Sequence, residues 1–555
     1  VRAKDPAATP ANSTHPADRS MPETTSTIHG APTGAESNRA ALAEMMRIAL
    51  PAVVTMLSYA VMQFVDKLIV GRLSPEALAA AGNGGIASWV PASIAMGVLA
   101  VINTYVSQNL GAGRPERGAA YAWNGLWLAL AASALWLVPC GLALPWVFSG
   151  MRSLFELSPV SAAVMEMENS YGRILLFGMF FTLAARSLSH YFYGMHRPMI
   201  VLGSTLVANM LNLGLTYALV FGVWGFPQWG VAGAAIATVI ASAAEAAIPM
   251  AVFLSPAYAR NYGTRRSWRP SMSHVRDIAR LGWPGGLMWG NEMICWWIFM
   301  AGFVASFDIP GEPAVHNPAG WIAHQYIVLS FMPAMGLSIA VSAIVGKCVG
   351  MGRPDLAAHR TWLGVRLAMA YMGLCAVCFV VFRAQLIHPF LPSDALPAQA
   401  EQIVTLGARM LILVACFQIF DALAVTISGA LRGAGDTVWP GVATVGLSWS
   451  IIIGGGWMFV RFAPGLESSG PWMAAALYII ILSLTLMGRF IGGRWRTMGV
   501  VQSQLSAALA VAAADAGEGL MPEVPGPESP AALEQGSDLK PLDSPAPAPA
   551  GPGAA

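Results

Sequence analysis

Charge is what this sequence has least of. Asp, Glu, Lys and Arg make up 11% of its 555 residues, against roughly 25% in an ordinary soluble domain. Apolar residues make up 56%, so a water-soluble globule is excluded and a bilayer is the implied partner. The formal net charge is +2 and no Lys/Arg block approaches a nucleic-acid footprint, which argues against DNA or RNA partners. Cysteine is scarce too. All six (Cys140, Cys295, Cys348, Cys375, Cys378 and Cys416) sit in or beside apolar stretches, so no disulfide framework is implied. Cys375 and Cys378 spell C-x-x-C, but within the apolar run Ala370 to Val381, where thiols behave as small hydrophobes.

Signatures of soluble chemistry are missing as well. The nearest approach to a phosphate-cradling loop is Gly346-Lys347, with Cys348 where Ser or Thr belongs and Val341 where the first glycine belongs. Gly111-Ala-Gly113 and Gly433-Ala-Gly435 lack a third dinucleotide-binding glycine and read as turns. There is no H-E-x-x-H and no G-x-S-x-G, and His190, His324 and His388 are scattered. Neither an enzyme nor a resident cofactor is expected.

What is present is a series of apolar runs long enough to cross a bilayer, for which about 20 residues suffice. Twelve are expected: 47–70, 79–109, 119–143, 166–192, 198–222, 230–254, 278–305, 320–349, 359–382, 404–430, 438–461 and 471–491. The flanks, 1–40 and 497–555, are rich in Ala, Pro, Ser and Thr or in Ala, Pro, Gly and acid. They read as disordered tails, and Met21 is a candidate start. An even number of spans puts both termini on one side. The connections on that side hold fifteen arginines, among them Arg260, Arg265, Arg266, Arg269, Arg276 and Arg280, against Arg72, Arg152, Arg383 and Arg461 on the other. That bias makes the terminal side cytoplasmic. The expected location is the cell (inner) membrane, and the expected state a monomer.

The sequence also repeats. Gly111-Ala-Gly-Arg-Pro-Glu116 returns as Gly350-Met-Gly-Arg-Pro-Asp355, 239 residues later, and Gly194 meets Gly433 at the same offset. Six spans per repeat give both halves one orientation, with substrate expected between them. The expected fold is an all-α polytopic protein of two pseudo-symmetric six-helix lobes, 41–255 and 278–496, joined by a basic linker, 256–277.

Carboxylates inside such spans are costly, by roughly 2.5 kcal/mol or more at a helix centre. Asp66, Glu245, Glu292 and Asp421 are the clearest cases. Glu292 lies twelve residues beyond Arg280 and Asp421 eleven before Arg432, so each stands roughly 17 to 18 Å from the cytoplasmic face. Two close acids at one depth need a shared proton or a bound cation, which is the chemistry of ion coupling and of a candidate Na⁺ site. Helical spacing adds Met288, Trp289, Cys295 and Trp296 beside Glu292, and Phe417, Gln418, Val425 and Ser428 beside Asp421. Such a wall suits a flat organic cation, or merely fills helix interfaces. Asp66 reads as a further coupling group or as a partner of Lys67. Glu245, in a small-residue run, reads as structural. Pro51, Pro91, Pro249 and Pro284 are candidate hinges.

These residues resemble the multidrug and toxic compound extrusion (MATE) family of secondary exporters. The matching stretches run from Phe64-Val-Asp66-Lys-Leu-Ile-Val-Gly71, through Ala323-His-Gln-Tyr and Phe331-Met-Pro-Ala-Met-Gly336, to Asp421-Ala-Leu and Gly429-Ala-Leu-Arg-Gly433-Ala-Gly-Asp-Thr437. The resemblance implies two lobes in a V, a central cavity lined by residues such as Gln63, Asn212 and Thr216, and export driven by H⁺ or Na⁺. It puts the family's acids at Asp66, Glu292 and Asp421. The fifth-span pattern reads Asn212-Leu-Gly-Leu-Thr216, without its second acid, and Lys347 replaces the usual Gln. The rival substrate class, a lipid-linked oligosaccharide handled by a flippase of related fold, calls for several cavity Arg or Lys.

Overall fold

The computed structural model of the protein describes residues 38–154, 162–309, 312, 314–391 and 397–501. Apart from their innermost residues, both tails lie outside this set. Among the described residues twelve helices are long and apolar enough to cross a membrane, and no residue is in a strand. They are α1 (Arg39–Gly71), α2 (Glu76–Gly111), α3 (Pro115–Gly150), α4 (Ala162–Gly194), α5 (Pro198–Phe221) and α6 (Gly230–Phe253), then α7 (Met272–Phe307), α8 (His316–Gly350), α9 (Pro354–Val381), α10 (Pro397–Ala434), α11 (Val438–Phe462) and α12 (Ser469–Ile491). Each coincides with one of the twelve expected spans. Helices satisfy their own backbone groups, which hydrocarbon cannot do for them. The chain stays helical through Pro51, Pro91, Pro249 and Pro284; α2 is interrupted instead at Ala100 and Val101.

The repeat is visible atom by atom. Gly113 (φ +72°) ends α2, and the Arg114 N–H donates to Asn109 O at 2.9 Å; in the second lobe Gly352 (φ +70°) ends α8, and Arg353 N–H donates to Cys348 O at 2.9 Å. The same holds after α4 and α10, where His196 (φ +57°) and Gly435 (φ +100°) precede bonds from Arg197 N–H to Phe192 O, 2.8 Å, and from Asp436 N–H to Leu431 O, 2.9 Å. Every pair is 239 residues apart. A left-handed residue after the helix lets one long bond satisfy a terminal carbonyl. Pro115, Pro198 and Pro354 then begin the next helices, where a missing N–H costs nothing.

Among the described residues the buried cores of the lobes merge on the side of the linker. On the side of the linker, Leu99, Ile102 and Tyr105 of α2 and Leu188 of α4 share a core with Ile278 of α7 and Ile339 of α8. Met45, Ile48 and Ala49 of α1 sit among Val341, Val345, Leu423 and Ile427 of the second lobe. On the far side the cores separate. Phe299, Met300, Ile322 and Trp472 cluster within the second lobe, and Ile69, Val70, Ala77, Val220 and Val231 within the first. The molecule is a wedge, sealed at the linker side and parted at the other.

Small residues make the seal. A Cβ on Gly111 would lie 2.0 Å from Lys347 O, and one on Gly350 would lie 2.1 Å from Gln108 O. The two contacts are mirror images through the repeat, since 108 and 347 are also 239 apart. Nearby, Thr104 Oγ1 donates to Arg432 O at 2.8 Å and Gln108 Nε2 to Gly433 O at 3.0 Å. Gln108 Oε1 accepts from the N–H groups of Val500 and Val501, at 2.8 and 3.3 Å. The expected second tail therefore begins docked, with Val501 buried, because its backbone finds an acceptor in the first lobe.

Lys347 has a partner at this end. Its Nζ is 3.4 Å from Glu44 Oε1, while buried Arg360 reaches Glu44 Oε2 at 3.0 Å. The side chains of Lys347 and Glu44 are each 33% exposed, which weakens the outer pair. Glu44→Gln, which leaves two cations facing each other, is expected to cost about 2 kcal/mol, below the 3–5 kcal/mol of a fully buried pair. Lys347→Gln is expected to cost under about 0.5 kcal/mol. Thermal unfolding in detergent checks the ranking.

Candidate functional site: acids of the second lobe

Glu292 occupies the middle of α7, which is anchored on both sides. Gly282, Gly286 and Gly290 admit α2 so closely that a Cβ on Gly286 would stand 2.7 Å from Ile94 O. Buried Asn291 ties the helix to α11, donating to Ser448 Oγ at 2.9 Å and accepting from Trp449 Nε1 at 2.7 Å. The neighbouring Glu292 is densely surrounded by protein, yet its side chain is exposed. A group both deep and accessible faces an internal space.

Asp421, half-buried in α10, is within electrostatic reach of Glu292. Tyr478 of α12 is within reach of both acids and of Cys295. The structure thus brings Glu292 and Asp421 together and adds Tyr478, which carries no sequence signal beyond an aromatic in an apolar run. Among the described residues no group of three or more His, Cys, Asp or Glu is placed to hold a metal ion.

The expected aromatic wall is corrected in part. Phe417 and Gln418 have no exposure: Phe417 belongs to the second-lobe core, and Gln418 Nε2 donates to Ser330 Oγ at 2.8 Å. Both point into the lobe, because that face of α10 packs on α8, so neither lines an open space. Trp296 is half-buried in a ring cluster, 4.9 Å from His324 and 6.2 Å from Trp472. Met288 and Trp289 are half-buried.

In the first lobe Asp66 is hydrogen-bonded, and not to Lys67. The Thr216 hydroxyl stands 3.4 Å from Asp66 Oδ1 and 3.2 Å from Asn212 Oδ1. Asn212 Nδ2 donates to Thr238 Oγ1 at 3.3 Å. The chain of polar groups joins α1, α5 and α6. Asn212 and Thr216 are buried supports of Asp66, with 5% and 0% exposure, and so are not open cavity lining; Gln63 is exposed. Lys67 is instead within electrostatic reach of His324 of the other lobe.

Glu245 is also engaged. Its Oε1 accepts from the hydroxyls of Tyr59 and Thr205, the latter at 2.9 Å. The guanidinium carbon of Arg186, on α4, sits 4.1 Å above the Tyr59 ring. Four helices contribute to this network. The network has no periodic signature, and α4 also carries Glu166, Glu168 and Arg173, so Arg186 does not stand out in the sequence as a lone charge.

The profile of the MatE family matches residues 51–218 and again 294–457, one stretch in each lobe. The probable multidrug resistance protein NorM of Deinococcus radiodurans is 31% identical over 456 residues, covering 82% of this chain and 96% of its own. The chain belongs to the MatE family.

Solved MATE-type structures share the fold of this MATE chain. A MOP superfamily transporter from Pyrococcus furiosus superposes with a TM-score of 0.72 at 20% identity, covering 82% of this chain and 95% of its own. An outward-facing MATE transporter of the MOP superfamily gives 0.71 at 19% identity, with coverage of 82% and 96%. The position of the missing fifth-span acid is filled in this MATE chain by Thr216, whose hydroxyl faces Asp66 rather than repelling it.

Proposed function

We propose that this MATE chain is a secondary antiporter, exporting amphipathic and chiefly cationic organic compounds in exchange for H⁺ or Na⁺. The observation that carries the reading is that Glu292 and Asp421 lie within electrostatic reach of each other, with Tyr478 beside them, on three helices of the second lobe. Two carboxylates within mutual reach are stable together only with a shared proton or a bound cation. An organic cation arriving at the same pair competes with that ion. Occupancy by one or the other then biases which side of the wedge is closed.

Asp66 acts as a second protonatable group, since a change in its charge is felt by Thr216, Asn212 and Thr238 across three helices. The lobes, 41–255 and 278–496, rock about the linker in the cell (inner) membrane. With both termini cytoplasmic, the wedge described above is the outward-open form of a monomeric transporter. The test is dye transport in proteoliposomes with pH and sodium gradients varied separately. Transport is expected to accelerate under at least one gradient; a rate indifferent to both overturns the reading.

A further inference from the structure

A cavity of about 340 Å³ lies on the linker side of the second lobe, where α11 begins and α12 ends. Its volume falls within the roughly 300–1,000 Å³ of small-molecule pockets. Trp439 of α11 forms one wall. Thr485, Gly488, Arg489 and Gly492, spaced along one face at the end of α12, form another, and exposed Arg494 in the turn that follows completes the lining. A Cβ on Gly488 would meet nothing within 4 Å, so no neighbour requires glycine there. Any side chain at that position would occupy the cavity.

The charges around it do not cancel. Arg489 Nε donates to buried Asp436 Oδ2 at 2.7 Å, and its guanidinium carbon stands 5.2 Å from the centre of the Trp439 ring. Its two terminal amino groups have no hydrogen-bond partner among the described residues. The other nearby acid, Asp355, is held by Arg496 at 2.7 Å. Arg494 has no ion pair among the described residues, which leaves the cavity one net positive charge.

The surroundings say what kind of anion fits. Met473, Leu477, Leu484 and Ile491 make an exposed apolar stripe along α12, which ends beside the cavity and faces hydrocarbon. Tryptophan is the residue type that marks the boundary between hydrocarbon and headgroups. A soluble anion would use the arginines and ignore the stripe, whereas a molecule with an anionic head and apolar tails uses both. Guanidinium meets phosphate oxygens with two parallel hydrogen bonds, and basic pockets between membrane helices hold anionic headgroups in this way. We propose that the cavity binds the headgroup of an anionic phospholipid from the linker-side leaflet, its phosphate on Arg489 and Arg494 and its acyl chains along the α12 stripe.

The test is thermal unfolding of the full chain in neutral detergent, titrated with dioleoyl phosphatidylglycerol, dioleoyl phosphatidylcholine or inorganic phosphate. A ligand that binds only the folded form raises the midpoint. Phosphatidylglycerol is expected to act at concentrations about tenfold below those that phosphatidylcholine needs. Arg494→Gln, which breaks no side-chain contact among the described residues, is expected to keep the lipid-free midpoint and to move the phosphatidylglycerol titration about tenfold higher. Gly488→Leu, which fills the cavity, should move it at least as far. Arg269→Gln removes the same charge from the exposed linker and should leave the titration in place. Equal protection by the two lipids overturns the proposal. So does a titration unmoved in both Arg494→Gln and Gly488→Leu, or one moved just as far by Arg269→Gln. Protection by inorganic phosphate alone assigns the cavity to a soluble anion and overturns the lipid.

Discussion

Replacing Glu292 by Gln, or Asp421 by Asn, leaves a protein that folds as well as the parent and exports, under an imposed gradient, at about 1% of its rate. The reasoning is thermodynamic. To turn a two-state equilibrium from 1:99 to 99:1, an ion must bind one state more tightly by about 5.5 kcal/mol. Two carboxylates in reach of each other, with Tyr478 beside them, supply that difference because leaving them both charged and unoccupied is so unfavourable. With one acid neutralised, the other no longer has a like charge beside it, so its hold on the ion weakens and the equilibrium answers far less to the gradient. The fold does not suffer, since removing a charge from mid-membrane relieves about 2.5–3.5 kcal/mol rather than costing it. Gradient-driven dye transport and thermal unfolding, measured on the same preparations, decide the matter. Parental, gradient-dependent export by both variants sinks the assignment.

The second large effect is expected at the seal. Gly111→Val places two branches where a Cβ alone already lies 2.0 Å from a backbone carbonyl oxygen. A carbonyl in a helix cannot turn aside, so α2 and α8 must part. Overpacking of this kind costs about 1–3 kcal/mol per site, and Gly350→Val adds the same on the other side of the crossing. The pair together is expected to hold the linker side open and reduce export by about a hundredfold. Cys348, 3% exposed next to this crossing, reports on it. In a protein whose other five cysteines are replaced, maleimide labelling of Cys348 should rise from near zero to completion. A glycine pair that tolerates valine with Cys348 still protected means the seal is made elsewhere.

Much of this architecture is legible in the sequence because it is local. A run of apolar residues reports its own length, and a Gly-Arg-Pro turn repeats because its left-handed residue and its proline are chemical necessities of ending one helix and beginning the next. The acids stand out because a charge in hydrocarbon is conspicuous wherever it occurs, and counting from Arg280 and Arg432 sets their depth. What helical spacing cannot say is which way a helix is turned. Phe417 and Gln418 share a face with Asp421, yet that face is wide enough for Asp421 to come within reach of Glu292 and Tyr478 while the other two are sealed against Ser330 and the lobe core. Nor does spacing reveal partnerships between distant helices. Arg186, Tyr59, Thr205 and Glu245 are separated by up to 186 residues, and Gln108 meets Val500 across 392. Such contacts exist only once the lobes are assembled.

The reciprocal crossing of Gly111 and Gly350 bears on descent. A six-helix half standing alone would carry, three residues apart, a glycine notch and the carbonyl that fills it, so two identical copies could dock notch to bump and form a symmetric dimer. Joined in one polypeptide, the halves no longer have to change in step. The counterparts of Glu292 and Asp421 in the first half are Val53 and Thr182, and those of Asp66 and Arg186 in the second are Ala305 and Val425. The halves share a scaffold while their ionisable groups stand at different positions.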